Sequence, residues 1–359
     1  MLSSAATSLT LLGRHLERAD HLARILGVHV ALALDRTDEP GPEFWVRFME
    51  LAGWRRPDTG RREEAIEMVV TGTLGPSVRA SIAAARLAAQ AVRPSLPTEL
   101  YEQVNALHWR VQEATWQPDL YQFLMDVQMS IRLVDGLLED TMFHDEARDF
   151  VRLGKFVERA ANVTTTVTSK SAELADMPED ALEWTAVLKS CFAFESFQSR
   201  YAGGVTAERV IECLLLDRSL PRSARFSSNT ALEAVARIEG NARRSKPLKL
   251  LIRLNGLYSQ ANTEAITEKP REFDAECRAI LRLLEIALRE TYFHPSKVPA
   301  SVAGEEGRGM PQQQQQQGKS SSVDDSPPHL WGGVWGGAPH PRPLPMNGEG
   351  DRRGPQSPS

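Results

Sequence analysis

From Leu9 the apolar residues fall at Leu9, Leu12, Leu16, Ala19, Ala23, Leu26 and Val30, a three-four-three-four spacing held over three heptads. That period is one face of an α-helix, and it predicts a long helix whose seam packs against antiparallel neighbours. The alternation returns at Phe150, Leu153, Val157, Ala160, Thr164 and Val167, weakened by the polar run Thr164-Thr165-Thr166. Turn signals separate further helical windows, among them Gly41-Pro42, Gly75-Pro76, Gln117-Pro118, Gly203-Gly204, Leu220-Pro221 and Lys246-Pro247. No run of alternating β-branched residues appears. The expected class is all-α, an antiparallel helical bundle.

The pattern also repeats. Leu12-Gly13-Arg14-His15-Leu16-Glu17-Arg18-Ala19 is echoed by Leu153-Gly154-Lys155-Phe156-Val157-Glu158-Arg159-Ala160. Ser77-Val78-Arg79-Ala80-Ser81 is echoed by Ser223-Ala224-Arg225-Phe226-Ser227, and Asp140-Thr141-Met142-Phe143-His144 by Glu290-Thr291-Tyr292-Phe293-His294. Three echoes in one order predict a tandem duplication inside one helical domain, residues 1–295, with halves of about 1–145 and 146–295. Residues 296–359 differ: Pro and Gly supply 21 of these 64, with a Gln312–Gln317 homopolymer. Such a composition buries too little surface to offset its ordering entropy, so a disordered tail is expected.

The net charge of −5 gives no basic field for nucleic acid, and no nucleic-acid partner is expected. No window approaches the ~20 apolar residues of a membrane span, and Met1-Leu2-Ser3-Ser4 shows no leader pattern. Cys191, Cys213 and Cys277 lie far apart and form no C-x-x-C pair, the usage of buried reduced thiols. A cytoplasmic protein without cofactor is the expectation.

Candidate chemistry centres on Glu17-Arg18 and Glu158-Arg159. With Leu12, Leu16 and Ala19 on the seam, these pairs are expected on the flank or outer side of their helices. One reading sets the Glu of each copy beside the Arg of the other, as reciprocal charge-assisted pairs about a pseudo-twofold axis. The other is a polar groove for a carboxylate, phosphate or peptide, extended by Arg14, His21 and Arg24. Arg222 and Arg225, one turn apart after Pro221, would add an anion site at a helix start. Asp140/His144 and Glu290/His294 are spaced as i,i+4 pairs, which makes His144 and His294 weak metal candidates. Helix capping suits them better, because di-metal bundles use Glu-x-x-His at i,i+3. No base is spaced to activate Cys191. No nucleophile–base set emerges, and the balance leans away from an enzyme.

These residues resemble a known family. Leu12–Leu26, Leu153–Ala160, Ser190-Cys191-Phe192-Ala193-Phe194-Glu195, Leu214-Leu215-Leu216-Asp217 and Leu220–Phe226 are similar to motifs of the bacterial alpha-E domain family, over about residues 1–295. The resemblance implies an all-helical protein associated with circularly permuted ATP-grasp ligases and transglutaminase-like proteins. It therefore implies a helical accessory module in peptide synthesis or modification, partnered by such a ligase or transglutaminase-like protein. The alternatives are an enzyme of amide or acyl-phosphate chemistry with a Glu/Arg groove, and a metal- or anion-binding regulatory bundle. The chain departs from the family pattern at Ser4, Thr10 and Leu11, at Thr71–Pro76, at Arg86-Leu87-Ala88-Ala89-Gln90 and at Ala147-Arg148, mostly in the first half.

Overall fold

Two long helices, α1 (Ser3–Asp35) and α7 (Glu146–Glu173), carry the two seams and lie side by side at the centre of the structure. The computed structural model describes residues 3–35, 40–54, 60–175, 180–240 and 245–293, and among these no strand occurs. Between α1 and α7 come α2 (Pro42–Leu51), α3 (Arg62–Thr71), α4 (Val78–Ala91), α5 (Thr98–Glu113) and α6 (Leu120–Thr141). After α7 come α8 (Ala181–Ser190), α9 (Phe194–Arg200), α10 (Ala207–Ile211), α11 (Ala224–Glu239), α12 (Lys246–Gln260), α13 (Thr263–Glu268) and α14 (Pro270–Leu288). The all-α class is as the periodicity predicts. Residues 296–359 and His294 lie outside the described residues. No described helix is long and apolar enough to cross a membrane.

Of the predicted seam residues, Leu9, Leu12, Leu16, Ala19, Ala23 and Leu26 are buried, and Val30 at the end of the run is half-buried. Helix α1 packs on α4 and α6, while α4–α5 and α5–α6 complete the first group; α7 packs on α11 and α14, with α11–α12 and α12–α14 completing the second. These neighbours are antiparallel: Arg79 reaches Val111 and Ala114 while Arg86 reaches Asn105, and Phe156 meets Phe226 while Asp149 meets Arg237. The serine N-caps also match. Ser77 opens α4 and Ser223 opens α11, each accepting a backbone N–H three residues on.

The central pair differs from this rule. Helices α1 and α7 run in the same direction, with residues 10–14 facing 151–155 and residues 17–18 facing 158–159. Two glycines permit the contact. A Cβ at Gly13 would stand 2.0 Å from the Val151 carbonyl oxygen, and one at Gly154 would stand 1.9 Å from that of Thr10. A shift of 141 positions converts one contact into the other, so the crossing is locally two-fold. Such backbone contact demands residues without side chains.

Candidate functional site

The Glu-Arg pairs sit inside this crossing, not on an outer flank. Glu17, Glu158 and Arg159 are buried, and Arg18 is half-buried. A single apolar seam describes only one face of a helix, whereas α1 and α7 are covered on nearly every side, so their second face became an interface.

Arg159 grips Glu17 through two parallel bonds, Nε to Oε1 at 2.7 Å and Nη2 to Oε2 at 2.6 Å. Arg18 grips Glu158 in the same way, at 2.7 and 3.1 Å. The reciprocal arrangement read from the sequence is the one observed. Arg14 adds a third bond to Glu158 at 2.9 Å and reaches Glu285 of α14 at 3.4 Å. Arg222, in the turn before α11, lies 3.5 Å from Glu17 and 3.3 Å from Asp20. Asp20 in turn holds the buried Arg24 at 2.6 and 2.8 Å, and Arg24 donates to Gln128 of α6 at 3.1 Å. Positive and negative groups thus alternate from α7 across α1 to α6.

This alternation fixes the protonation states. Burial alone would push the Glu17 carboxyl up, but the Arg159 guanidinium, its hydrogen bonds and Arg222 hold it at about 2. Burial likewise opposes ionisation of Glu158 and Asp20, and their arginines more than offset it, keeping both below the usual carboxylate range. Burial brings the Arg222 guanidinium down, reinforced by Arg159 beside it. His15 and His21 are both held at about 4, chiefly by burial.

The remaining predicted residues stand apart from the network. Arg225 donates to the Leu216 carbonyl at 3.2 Å, tying down the π-turn Glu212–Leu216, much as Arg79 ties down the end of α5. Its partner thus differs from those of Arg222, which meets Glu17 and Asp20. His144 is exposed in the loop after α6, which ends at Thr141, so Asp140 and His144 do not share a helix face. Its predicted partner His294 is outside the described residues, among which no group of three His, Cys, Asp or Glu is placed to hold a metal. Cys191 is buried, and burial pushes its thiol up to about 12, which suits an inert residue.

Asp20, Gln128, Arg132 and Phe192 were missed by sequence reasoning. Asp20 and Arg24 are spaced i,i+4, a signal that reads as a surface ion pair. Arg132 of α6 and Phe192 after α8 meet Arg24 across long sequence separations. The guanidinium carbons of Arg24, Arg132 and Arg222 lie 4.4, 4.3 and 5.3 Å from the Phe192 ring centroid. Cation–π attraction of this kind is worth roughly 0.5–2 kcal/mol per contact.

The fold and crossing define a class: an all-helical protein whose paired central helices are locked by Glu-Arg pairs. The chain belongs to the Alpha-E family, described as a predicted alpha-helical domain with a conserved ER motif, which matches residues 1–293. It is similar to the uncharacterized protein Rv2567 of Mycobacterium tuberculosis and to the uncharacterized protein Mb2597 of Mycobacterium bovis. Each is 21% identical over 307 residues, covering 78% of this chain and 35% of the relative. The chain thus spans about a third of the length of these curated relatives. No solved structure matches it.

Proposed function

We propose that this protein is a helical accessory module that works beside an ATP-grasp-type amide ligase or a transglutaminase-like protein in peptide synthesis or modification. In this reading Glu17-Arg18 and Glu158-Arg159 form the frame that presents the binding surfaces and take no part in chemistry. The supporting observation is saturation: both glutamates are buried and engaged by forked arginines. A general base must be able to accept a proton near working pH, and a carboxylate held at about 2 is badly matched to that task. The relatives also favour a module, since about two thirds of each lies outside the matched segment.

The test is purification of the tagged full-length chain from its native cell at low salt, with mass spectrometry of what co-elutes. A stoichiometric ligase or transglutaminase-like protein is the expected result. A lone protein under those conditions overturns the proposal. As a companion, Glu17→Arg should abolish both folding and capture, and the exchanged pair Glu17→Arg with Arg159→Glu should restore both. Capture that survives a folded Glu17→Gln variant separates the frame from the contact surface.

A further inference from the structure

Helix α8 ends where a glycine would be ordinary. The Phe192 N–H donates to the Lys189 carbonyl at 3.0 Å and the Ala193 N–H to the Leu188 carbonyl at 2.9 Å. These are the two bonds of a Schellman cap, whose middle residue takes the left-handed conformation and is usually Gly. Phe192 occupies it at φ 55°, the one non-glycine residue with positive φ among the described residues. Its ring is not used to fill the core, being 50% exposed. Strain of this kind persists where the surroundings enforce it, and it concentrates at ligand sites.

The surroundings are three guanidiniums and a cleft. Arg24 and Arg222 share Asp20 as a counter-charge, and Arg222 also meets Glu17. Arg132 makes no ion pair among the described residues, and Asp20 and Asp135 act on it only from beyond ion-pair distance. Its Nη1 contacts the Met129 sulfur at 3.1 Å, its Nε is buried without a hydrogen-bond partner, and no carboxylate among the described residues lies within ion-pair distance. The cleft it borders measures about 460 Å³, within the range of small-molecule sites. Arg24, Arg132 and the exposed Lys189 contribute positive charge to its lining, and Asp35 contributes an acid. Gln128 and Thr185 add neutral polar groups, and the rest of the wall is apolar or aromatic, including Val28, Leu124, Met125 and Tyr121, the last 71% exposed.

We propose that this cleft binds a monocarboxylate carried on an apolar body, with the carboxylate on Arg132 and the apolar part along the α6 wall. A guanidinium that makes no ion pair leaves its fork open to one negative charge, and that planar fork matches a carboxylate. Phe192 serves as the platform that stacks Arg132 in place beside Arg24. The ligand is either a free acyl acid or the C-terminus of a peptide ending in an apolar residue. This assignment goes beyond the accessory role and stands without it.

The experiment is calorimetric titration of the full chain with octanoate and with acetylated alanyl-alanyl-leucine. Octanol and the amidated peptide serve as neutral controls. At least one carboxylate should bind saturably, and at least tenfold more tightly than its neutral counterpart. Binding of octanoate alone assigns the free acid, and binding of the peptide alone assigns the peptide terminus. Arg132→Gln should weaken binding tenfold or more at unchanged melting temperature. Phe192→Gly should weaken binding while the melting temperature holds or rises, because glycine relieves the backbone; a ring with only a packing role would lower it. Failure of both carboxylates to saturate, equal binding of octanol and octanoate, or an unaffected Arg132→Gln variant overturns the proposal.

Discussion

At the α1/α7 crossing, Arg14, Arg18, Arg159 and Arg222 meet Glu17, Glu158 and Asp20, and every acid is gripped at hydrogen-bond distance by at least one guanidinium. Farther along α1, at Phe192, three guanidinium contacts converge on one ring, and Arg132 makes no ion pair among the described residues, with Asp20 and Asp135 acting on it only from farther off. The first region is rich in charge and closed; the second is poorer in charge and open. The difference teaches that a dense set of charged residues marks a site only where the charges are left over. Buried, mutually satisfied pairs fix geometry, while an uncompensated cation beside a cleft can still bind something.

The contrast is most sharply tested at the glycines. Gly13→Ala and Gly154→Ala each drive a methyl into a backbone carbonyl of the opposite helix, and each should cost at least about 3 kcal/mol, preventing folding in a marginal background. Matching losses in thermal melts at the two positions would support the local two-fold. A variant at either position that melts like the parent would show that the helices do not touch there.

Next in size is the pairing itself. Arg159→Ala leaves Glu17 buried without its main partner and should destabilise by about 3–5 kcal/mol in urea titration. Arg132→Ala, in the open region, should stay within about 0.5 kcal/mol of the parent. Equal costs at the two arginines would abolish the distinction between closed and open regions.

Acid sensitivity comes third. Burial holds His29 at about 4, below the ~6.5 of an unfolded chain. Between those values the unfolded chain takes up a proton that the folded chain refuses, so stability is complete above 6.5 and falls as pH drops toward 4. For His29 this amounts to about 3 kcal/mol, and His15 and His21 act in the same direction. The Glu17 pair enters later: its contribution is present above the ordinary carboxylate range and is lost only as pH falls toward about 2. The His29→Gln variant should show a flatter stability–pH curve between 6.5 and 4; an unchanged slope would assign the effect elsewhere.

Phe192→Gly should likewise have a small effect, because relief of the left-handed backbone opposes lost cation–π contacts. The net change should lie within about 1 kcal/mol by differential scanning calorimetry.

Much of this architecture was legible in the chain. The three-four spacing located both central helices, because a core-facing helix must repeat near 3.6 residues. The 141-residue echo carried the reciprocal Glu-Arg pairing, because the repeated motif holds an acid and a base side by side. Burial of those charges was not legible, since apolar periodicity reports one face and cannot announce a second, polar interface. The parallel run of α1 and α7 was hidden for a similar reason: Gly13 and Gly154 read as ordinary helix residues until their partners are in place. Arg132 and Phe192 left no local signal, because phenylalanine in a glycine conformation is invisible to turn rules.

Reciprocity at the crossing has a consequence for how the chain holds together. Each forked pair draws its acid from one group of helices and its base from the other: Glu17 with Arg159, Glu158 with Arg18. A chain cut in the loop between Thr141 and Glu146 therefore yields two fragments, each with unmatched charges and a bared glycine groove. Each fragment is the other's missing surface. Separately expressed fragments should recover the native form only by recombining, and two intact chains whose connecting loop is shortened should trade halves into an intertwined dimer.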